Sequence, residues 1–135
     1  RLVALQGAEG LLNLLHSKKV YLGVVSNKSG ENLRREANHL DWNKYFEKIV
    51  GAMDAKKDKP AIEPVLMVLE GSKIRPSLDV WFIGDTKIDM ECAYNSGCLP
   101  ILIRNTPPKS EEFGKFMPEM HFSGCDMLTT LASKL

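Results

Sequence analysis

The stretch Val80–Gly97, VWFIGDTKIDMECAYNSG, carries the clearest structural signal in the sequence. It contains most of a strand predicted over Asp79–Asp85, because a short, continuous apolar run rich in branched and aromatic residues is typical of a strand buried on both faces. A helix is predicted next, over Lys87–Ser96, and Gly97 suits its C-terminal cap. A buried strand that leads directly into a helix is the repeating unit of a parallel sheet.

The same alternation of strands and helices continues in both directions from this unit. Helices are predicted over Ala8–Lys19, Glu31–Leu40 and Ala61–Glu70, strands over Val20–Ser26, Phe46–Ala52 and Leu99–Arg104, and a turn over Asn27–Gly30. The tail, Cys125–Leu135, ends in a short amphipathic helix whose Met127, Leu128 and Leu131 are expected to face the core. The pattern predicts one α/β domain over residues 1–135, with a mostly parallel sheet and helices on both of its faces.

The composition is that of an ordinary globular domain. Of the 135 residues, 44% are apolar and 26% are charged. Lys and Arg number 18 and Asp and Glu number 17, so the net charge of +1 argues against a nucleic-acid binder or a polybasic membrane anchor. No apolar run approaches the roughly 20 residues of a membrane span. Three cysteines without a C-x-x-C spacing indicate reduced thiols and predict a cytoplasmic protein.

Polar side chains follow the predicted strands at the points where the strands end. Ser26 and Asn27 come after the first strand, Lys59 and Pro60 after the second and its charged loop, Gly84, Asp85 and Thr86 after the third with Asp89 shortly beyond, and Arg104 and Asn105 after the fourth. In open parallel sheets, ligands bind beyond the carboxyl ends of the strands. Hydroxyl and ammonium groups suit phosphate oxygens, and carboxylates suit Mg²⁺, which shares the phosphate. These residues therefore predict a site for a phosphate and a hard divalent cation.

Each of these residues also has a purely structural interpretation. Ser26 and Asn27 suit a turn, Lys59 suits a solvated loop, and Thr86 suits the N-terminal cap of a helix. The functional interpretation gains from the combination, because every one of these residues follows a predicted strand.

The order of four segments resembles the haloacid dehalogenase-like hydrolases, and within them the phosphoglycolate-phosphatase-like branch. The segments are VVSNK (24–28), YFEKIVGAMDAKKDKPAIEPVL (45–66), VWFIGDTKIDMECAYNSG (80–97) and PILIR (100–104). In that family a strand ends in Ser or Thr followed by Asn, a Lys-Pro opens a helix, and Gly-Asp-Ser or Gly-Asp-Thr closes a later strand with a second Asp four residues on. The resemblance covers about Gln6 to Arg104 and implies a Rossmann-like core.

The resemblance also implies an activity and a set of roles. The family transfers a phosphoryl group from a small phosphorylated metabolite to an aspartate and then to water, with Mg²⁺ as cofactor. Carried over residue by residue, Ser26 and Asn27 would bind and orient the phosphate. Lys59 would neutralise charge on the phosphoryl group and on the nucleophile. Asp85 would bind Mg²⁺ directly, and Asp89 would hold the waters of the metal or the loop lysine.

The sequence departs from the family in one respect. The family's first motif, D-x-D, supplies the nucleophile and the acid/base, and no D-x-D occurs in the 135 residues. The resemblance places that strand, followed by a helical cap domain, upstream of Arg1. The chain is therefore expected to be an incomplete core that is inactive alone. In the family's sheet the missing strand is central and lies between the strands that end at Ser26 and Asp85. Without it, backbone groups along that gap would lack partners.

Two other functions are open at this point. A domain of the same family that has lost catalysis would bind a phosphoryl ligand or a partner protein; the absent nucleophile favours it, whereas the carboxylate pair of Asp85 and Asp89 argues against it. A phospho-acceptor receiver domain is also α/β, but its acidic cluster comes first and its lysine last, which is the reverse of the order here. A dinucleotide-binding fold or a P-loop would need a glycine-rich motif after a strand, and the sequence contains neither motif.

Overall fold

Strands and helices alternate along residues 8–134, the part of the chain that the computed structural model describes. The helices are α1 (Ala8–Ser17), α2 (Gly30–His39), α3 (Glu63–Leu69), α4 (Lys87–Ser96), α5 (Ser110–Phe113) and α6 (Cys125–Ala132), with 3-10 turns at Asn43–Tyr45 and Gly114–Phe116. The strands are β1 (Gly23–Ser29), β2 (Lys48–Ala52), β3 (Trp81–Gly84), β4 (Leu99–Ile103) and β5 (Met120–Phe122). Gln6 and Leu135, which bound the predicted features at the two ends, lie outside the described residues.

The strands pair in parallel, as predicted. In one sheet β1 pairs with β2, so that Val25 lies opposite Val50. In the other sheet β4 lies between β3 and β5, and Ile101 lies opposite both Ile83 and Met120. The α/β fold class is therefore confirmed, with parallel strands joined by helical crossovers.

Helices cover both faces of the strands because consecutive strand residues point to opposite sides. Ile49 and Ile103 pack against clusters that contain residues of α1, α2 and α6. Their neighbours, Val50 and Leu102, pack against clusters formed by α3, α4 and α5. No helix within residues 8–134 has the length and hydrophobicity to cross a bilayer.

The two sheets remain separate in residues 8–134, although β1 and β3 border the same cavities. Within the described residues these two strands form no ladder with each other. A cavity of about 270 Å³ is lined by Val25 of β1 and Phe82 of β3. A second cavity, of about 660 Å³, is lined by Gly23, Trp81 and residues of α1. We call this space between β1 and β3 the interstrand slot; it separates the two strands between which the resemblance predicts a gap.

The interstrand slot explains why two strands are less buried than their sequences predict. VYLGVVS and DVWFIGD have the continuous apolar character of central strands. Val24 and Val25 are nevertheless partly exposed, and Ile83 is 38% exposed. Because one edge of each strand borders the slot, their side chains gain neighbours on the other edge only.

Several predicted boundaries were wrong. β1 runs on to Ser29 through the predicted turn, because it continues beside β2 after an irregularity that brings Ser29 opposite Ala52. Lys59 and Pro60 do not open α3 directly; the helix begins at Glu63, after a turn.

The part of the chain that follows β4 differs from the prediction in three places. Met127 is 56% exposed on α6, whereas Leu128 is fully buried there, so the apolar stripe of this helix is narrower than predicted. The short strand β5 and the one-turn helix α5 were not predicted. Elements of three and four residues are too short to show a hydrophobic period.

The open slot predicts how the 135-residue polypeptide behaves by itself. If the slot closes, each unpaired backbone group buried against its apolar walls costs about 1–3 kcal/mol. If the slot stays open, an apolar groove is exposed to solvent. We expect the polypeptide to bind the dye ANS strongly and to melt without a sharp transition. A cooperative thermal melt of a verified monomer, with no dye binding, would contradict this prediction.

Candidate active site

The sequence-predicted site residues lie at the carboxyl edge of the two sheets. Ser26 and Asn27 are in the last part of β1, and Asp85 directly follows β3. Asp89 is in the first turn of α4, which begins just beyond Asp85. Lys59 lies on the irregular segment between β2 and α3. Parallel strands place these residues at one edge because their carboxyl ends point the same way.

An ion pair between Lys59 and Asp89 is the most buried contact of the site. The Nζ of Lys59 lies 2.5 Å from Oδ1 of Asp89, and the two side chains are only 12% and 9% exposed. Burial of two charges is costly unless each keeps a partner. The Lys59 ammonium has three N–H groups, and Asp89 accepts one of them. The other two N–H groups have no acceptor among residues 8–134 and are available to other anionic oxygens.

The second oxygen of Asp89 is held by the start of α4. Its Oδ2 accepts hydrogen bonds from the backbone N–H of Asp85 at 3.1 Å and from the backbone N–H and hydroxyl of Thr86 at 3.3 and 3.0 Å. The Thr86 hydroxyl in turn accepts from the N–H of Asp89, which completes a capping box. Asp89 is thus fixed in position by the helix terminus that it caps.

Gly84 allows this arrangement. A Cβ at Gly84 would overlap the carboxylate of Asp89. The close approach of the strand end to Asp89 therefore requires a residue without a side chain, which accounts for the Gly in the Gly-Asp-Thr sequence.

The pKa values of the two carboxyls move in opposite directions. Burial raises the pKa of Asp85, and the negative charge of Asp89 raises it further. Burial would also raise the pKa of Asp89, but the Lys59 charge and the hydrogen bonds from Lys59, Asp85 and Thr86 together hold it below its ordinary value. The environment of Asp89 therefore favours its ionised form, whereas the ionised form of Asp85 would be stabilised by a nearby positive charge.

The opposite pKa shifts of Asp85 and Asp89 indicate which carboxylate is suited to direct contact with a divalent cation. Asp85 is exposed overall, although neighbouring atoms partly desolvate its carboxyl, and it has no ion-pair partner among residues 8–134, whereas Asp89 has Lys59; Asp85 therefore suits direct contact with a cation. Asp89 has both oxygens engaged by protein donors, which favours a supporting position. Within residues 8–134 no group of three His, Cys, Asp or Glu side chains could hold a metal ion. A Mg²⁺ ion at Asp85 would thus rely on waters, a phosphate or other ligands, as Mg²⁺ commonly does.

Asn27 and Ser26 make different contacts. The side-chain amide of Asn27 binds the main chain of Lys59: its Nδ2 donates to the Lys59 carbonyl at 3.1 Å, and its Oδ1 accepts from the Lys59 N–H at 3.0 Å. The Ser26 hydroxyl oxygen accepts from the N–H of Lys28 at 3.1 Å, which leaves its own proton available for donation.

The loop between β2 and Lys59 is held by a residue that sequence reasoning missed. Oδ2 of Asp54 accepts from the N–H of Gly51 at 2.8 Å and from the Arg34 guanidinium at 3.2 Å. The Gly51 hydrogen bond and the Arg34 charge hold the pKa of Asp54 below its ordinary value, against the effect of burial. Asp in a turn often accepts hydrogen bonds from nearby backbone N–H groups, and this tendency is the sequence signal that could have predicted the contact of Asp54.

The Arg104 guanidinium is bonded to the segment that follows β4, although the charge of Asp85 contributes, after the hydrogen bond to Glu112, to the raised pKa of Arg104. It binds Glu112 through two hydrogen bonds of 2.6 and 2.9 Å and also donates to the carbonyls of Thr106 and Pro107. A cavity of about 460 Å³, lined by Asp85, Asn105 and Ser123 among others, lies between Asp85 and this loop.

Comparison with known proteins relates the chain to a family. The model of the haloacid dehalogenase-like hydrolases matches residues 1–103. The chain is 34% identical to the phosphoglycolate phosphatase of Escherichia coli K12 over 87 residues, which are 64% of this chain and 34% of that protein. The phosphoglycolate phosphatase of Salmonella typhi is 33% identical over the same length and shares. The matched region thus spans about a third of the length of these curated relatives.

Solved structures show the same architecture. A hydrolase of the haloacid dehalogenase superfamily from Ehrlichia chaffeensis superimposes with a TM-score of 0.84 at 34% identity, covering 98% of this chain and 59% of its own. A superfamily hydrolase from Geobacter sulfurreducens gives 0.79 at 22% identity, covering 96% of this chain and 61% of its own, and this likeness supports the fold alone.

Proposed function

The chain belongs to the haloacid dehalogenase-like hydrolase family, and from that membership we propose that it is part of a Mg²⁺-dependent phosphomonoester hydrolase of the phosphoglycolate-phosphatase type. The observation that carries the proposal is the buried Lys59–Asp89 pair, which is bonded on one side to the end of β1 and on the other to the end of β3. A lysine with two uncommitted N–H groups at this edge is suited to a phosphoryl group.

Ser26 and Lys59 are the proposed phosphate ligands. The Ser26 hydroxyl donates its free proton to one phosphate oxygen, and the Lys59 ammonium supplies a positive charge and further donors. Phosphoryl transfer depends mainly on positioning and on neutralisation of the charge on the transferred oxygens. Asp89 prevents Lys59 from turning to solvent, so the charge stays where the phosphate binds.

Asp85 is the proposed direct ligand of Mg²⁺. Asp89 supports it by bonding Lys59 and the backbone N–H of Asp85. When bound, the cation supplies charge neutralisation at the phosphate oxygens. The carboxylate of Asp85 orients the bound group at the end of β3. In the proposed aspartyl-phosphate step, the nucleophilic aspartate of the D-x-D motif, which these 135 residues lack, would attack phosphorus and the P–O bond to the substrate would break. The acid/base aspartate of the same motif would give a proton to the leaving alcohol, and water would then cleave the aspartyl-phosphate to release inorganic phosphate and restore the aspartate.

The proposed substrate class is a small phosphorylated metabolite. The curated relatives bear the name phosphoglycolate phosphatase, so phosphoglycolate is the first compound to assay. Ser26, Lys59 and Asp85 are proposed contacts of the phosphate and its cation rather than of the organic part of the substrate.

The test uses the complete protein and p-nitrophenyl phosphate. We expect EDTA to lower turnover by at least about 100-fold and added Mg²⁺ to restore it, since a bound cation contributes several kcal/mol to phosphoryl transfer. Turnover that is indifferent to EDTA would remove Mg²⁺ from the proposal. Binding of phosphate without any turnover, in the presence of Mg²⁺, would favour the alternative of a phosphoryl-binding module over an enzyme.

A further inference from the structure

We propose that Asn27 is a positioning residue that acts through the main chain of Lys59, rather than a ligand of the phosphate itself. The inference rests on the proposed function and deepens it, because it explains how Lys59 is placed. It also replaces the phosphate-binding role that the resemblance implies for Asn27 with a role in setting the geometry of the site.

The contact between Asn27 and Lys59 is reciprocal. One amide group of Asn27 both donates to the Lys59 carbonyl at 3.1 Å and accepts from the Lys59 N–H at 3.0 Å, across 32 positions of sequence. Two bonds from one planar amide fix both the position and the direction of the Lys59 backbone. A side chain used in this way has one amide proton left, and its plane is already set.

Lys59 needs such a contact because no regular element holds it. It lies beyond β2 and before α3, after the exposed residues Lys56, Lys57 and Asp58. Its backbone N–H and C=O would otherwise face water or remain without partners. The next residue, Pro60, is bound on its carbonyl by Asn95 of α4 at 3.0 Å. The segment is therefore attached to β1 at one residue and to α4 at the next.

These contacts also connect the two sheets at the edge of the interstrand slot. Asn27 belongs to β1, and Asp89 belongs to the helix that follows β3. Lys59 bonds the first through its main chain and the second through its ammonium. Because β1 and β3 form no ladder with each other, the series Asn27–Lys59–Asp89 is a direct polar connection between the phosphate-binding end of β1 and the carboxylates after β3. Loss of Asn27 would therefore shift Lys59 relative to Asp85.

A double-mutant cycle in the complete protein separates positioning from direct binding. We expect Asn27→Ala to lower the kcat for p-nitrophenyl phosphate by about 10- to 100-fold with a small change in KM, since a displacement of about 1 Å costs this much. In a Lys59→Ala background the same change should cost less than about twofold, because the ammonium that Asn27 positions is gone even though the backbone contact at residue 59 remains. An undiminished loss in that background would overturn the proposal and make Asn27 a ligand of the phosphate.

Two further measurements keep the outcome clear. Amide hydrogen exchange at Lys59 should accelerate about fivefold or more in Asn27→Ala, because its hydrogen-bond acceptor is removed; unchanged exchange would contradict the proposed contact. Asn95→Ala removes an amide-to-carbonyl bond from the neighbouring residue Pro60 but leaves Lys59 bonded to Asn27, so its loss of kcat should be at least fivefold smaller. If Lys59→Ala alone leaves turnover intact, the proposed function fails. The exchange rate at Lys59 would still test separately whether Asn27 holds the Lys59 backbone.

Discussion

Replacement of Asp85 by Asn is expected to lower Mg²⁺-dependent hydrolysis of p-nitrophenyl phosphate by the complete protein by about 10³-fold or more. The variant keeps the shape of the side chain and loses its negative charge. If Asp85 binds the cation directly, about 4 kcal/mol of transition-state stabilisation is lost with the charge, and each 1.36 kcal/mol is tenfold in rate.

The same substitution should leave the fold intact or stabilise it. Burial and the charge of Asp89 raise the pKa of Asp85 above its ordinary value. A carboxyl whose pKa is raised on folding is destabilising when it is ionised, at pH values above its unfolded pKa, so a neutral residue removes that cost. A protein that melts at the same or a higher temperature but no longer turns over is the signature of a functional carboxylate.

Asp79→Asn is the matched control. Asp79 is exposed and lies before β3, at the opposite end of the strand that Asp85 follows. Its described contact is made by its backbone N–H, which donates to Ser77 and which the substitution preserves. We expect turnover within about twofold of the parent, as for a surface change away from the site. Undiminished turnover in Asp85→Asn would remove Asp85 from the active site.

Local signals in the sequence accounted for the helix that carries Asp89. Thr86, followed three positions later by Asp89, is a capping-box pattern, and Gly97 is a helix stop; both ends of α4 match the prediction. The pairing of Asp89 with Lys59 joins residues 30 positions apart. Its prediction required the resemblance to a known family as well as the topology of parallel strands.

The contacts that sequence patterns missed involve main-chain groups. The amide of Asn27 binds the backbone of Lys59, and the carboxylate of Asp54 binds the backbone N–H of Gly51. Every residue offers similar backbone groups, so no residue type at Lys59 or Gly51 indicates the partner. The exposure of Ile83 was missed for a different reason: an apolar run reports the environment of a strand with both neighbours present, and β3 has a neighbour on one edge within the described residues.

Removal of the Asp89 carboxylate should produce a large loss of stability. In the complete protein we expect Asp89→Ala to lower the free energy of unfolding by about 3–5 kcal/mol, because it leaves the ammonium of Lys59, only 12% exposed, without its partner. It also removes the acceptor that binds the backbone N–H of Asp85 and Thr86. Urea unfolding monitored by circular dichroism gives the value, provided that the slope of the transition is unchanged.

The exposed pair of Glu31 and Arg35 is the control for this measurement. These side chains are 80% and 71% exposed and lie one turn apart on α2. Glu31→Ala should cost at most about 0.5 kcal/mol, since an exposed pair of this kind is screened by water. Equal losses in the two variants would show that burial does not govern the strength of the Lys59–Asp89 pair.

A second substitution identifies the cause of the loss. Lys59→Met in the Asp89→Ala background removes the unpaired charge and should restore at least about half of the lost stability; no recovery would assign the loss to the helix cap instead.

The pH dependence of stability provides an independent check. Lys59 and the donors of Asp85 and Thr86 hold the pKa of Asp89 below its ordinary value despite burial. The contribution of the ionised carboxylate is therefore fully present above about pH 4, the ordinary Asp range, and declines as the pH falls through the lowered folded pKa. The difference in stability between the parent and Asp89→Ala should shrink over that acidic range.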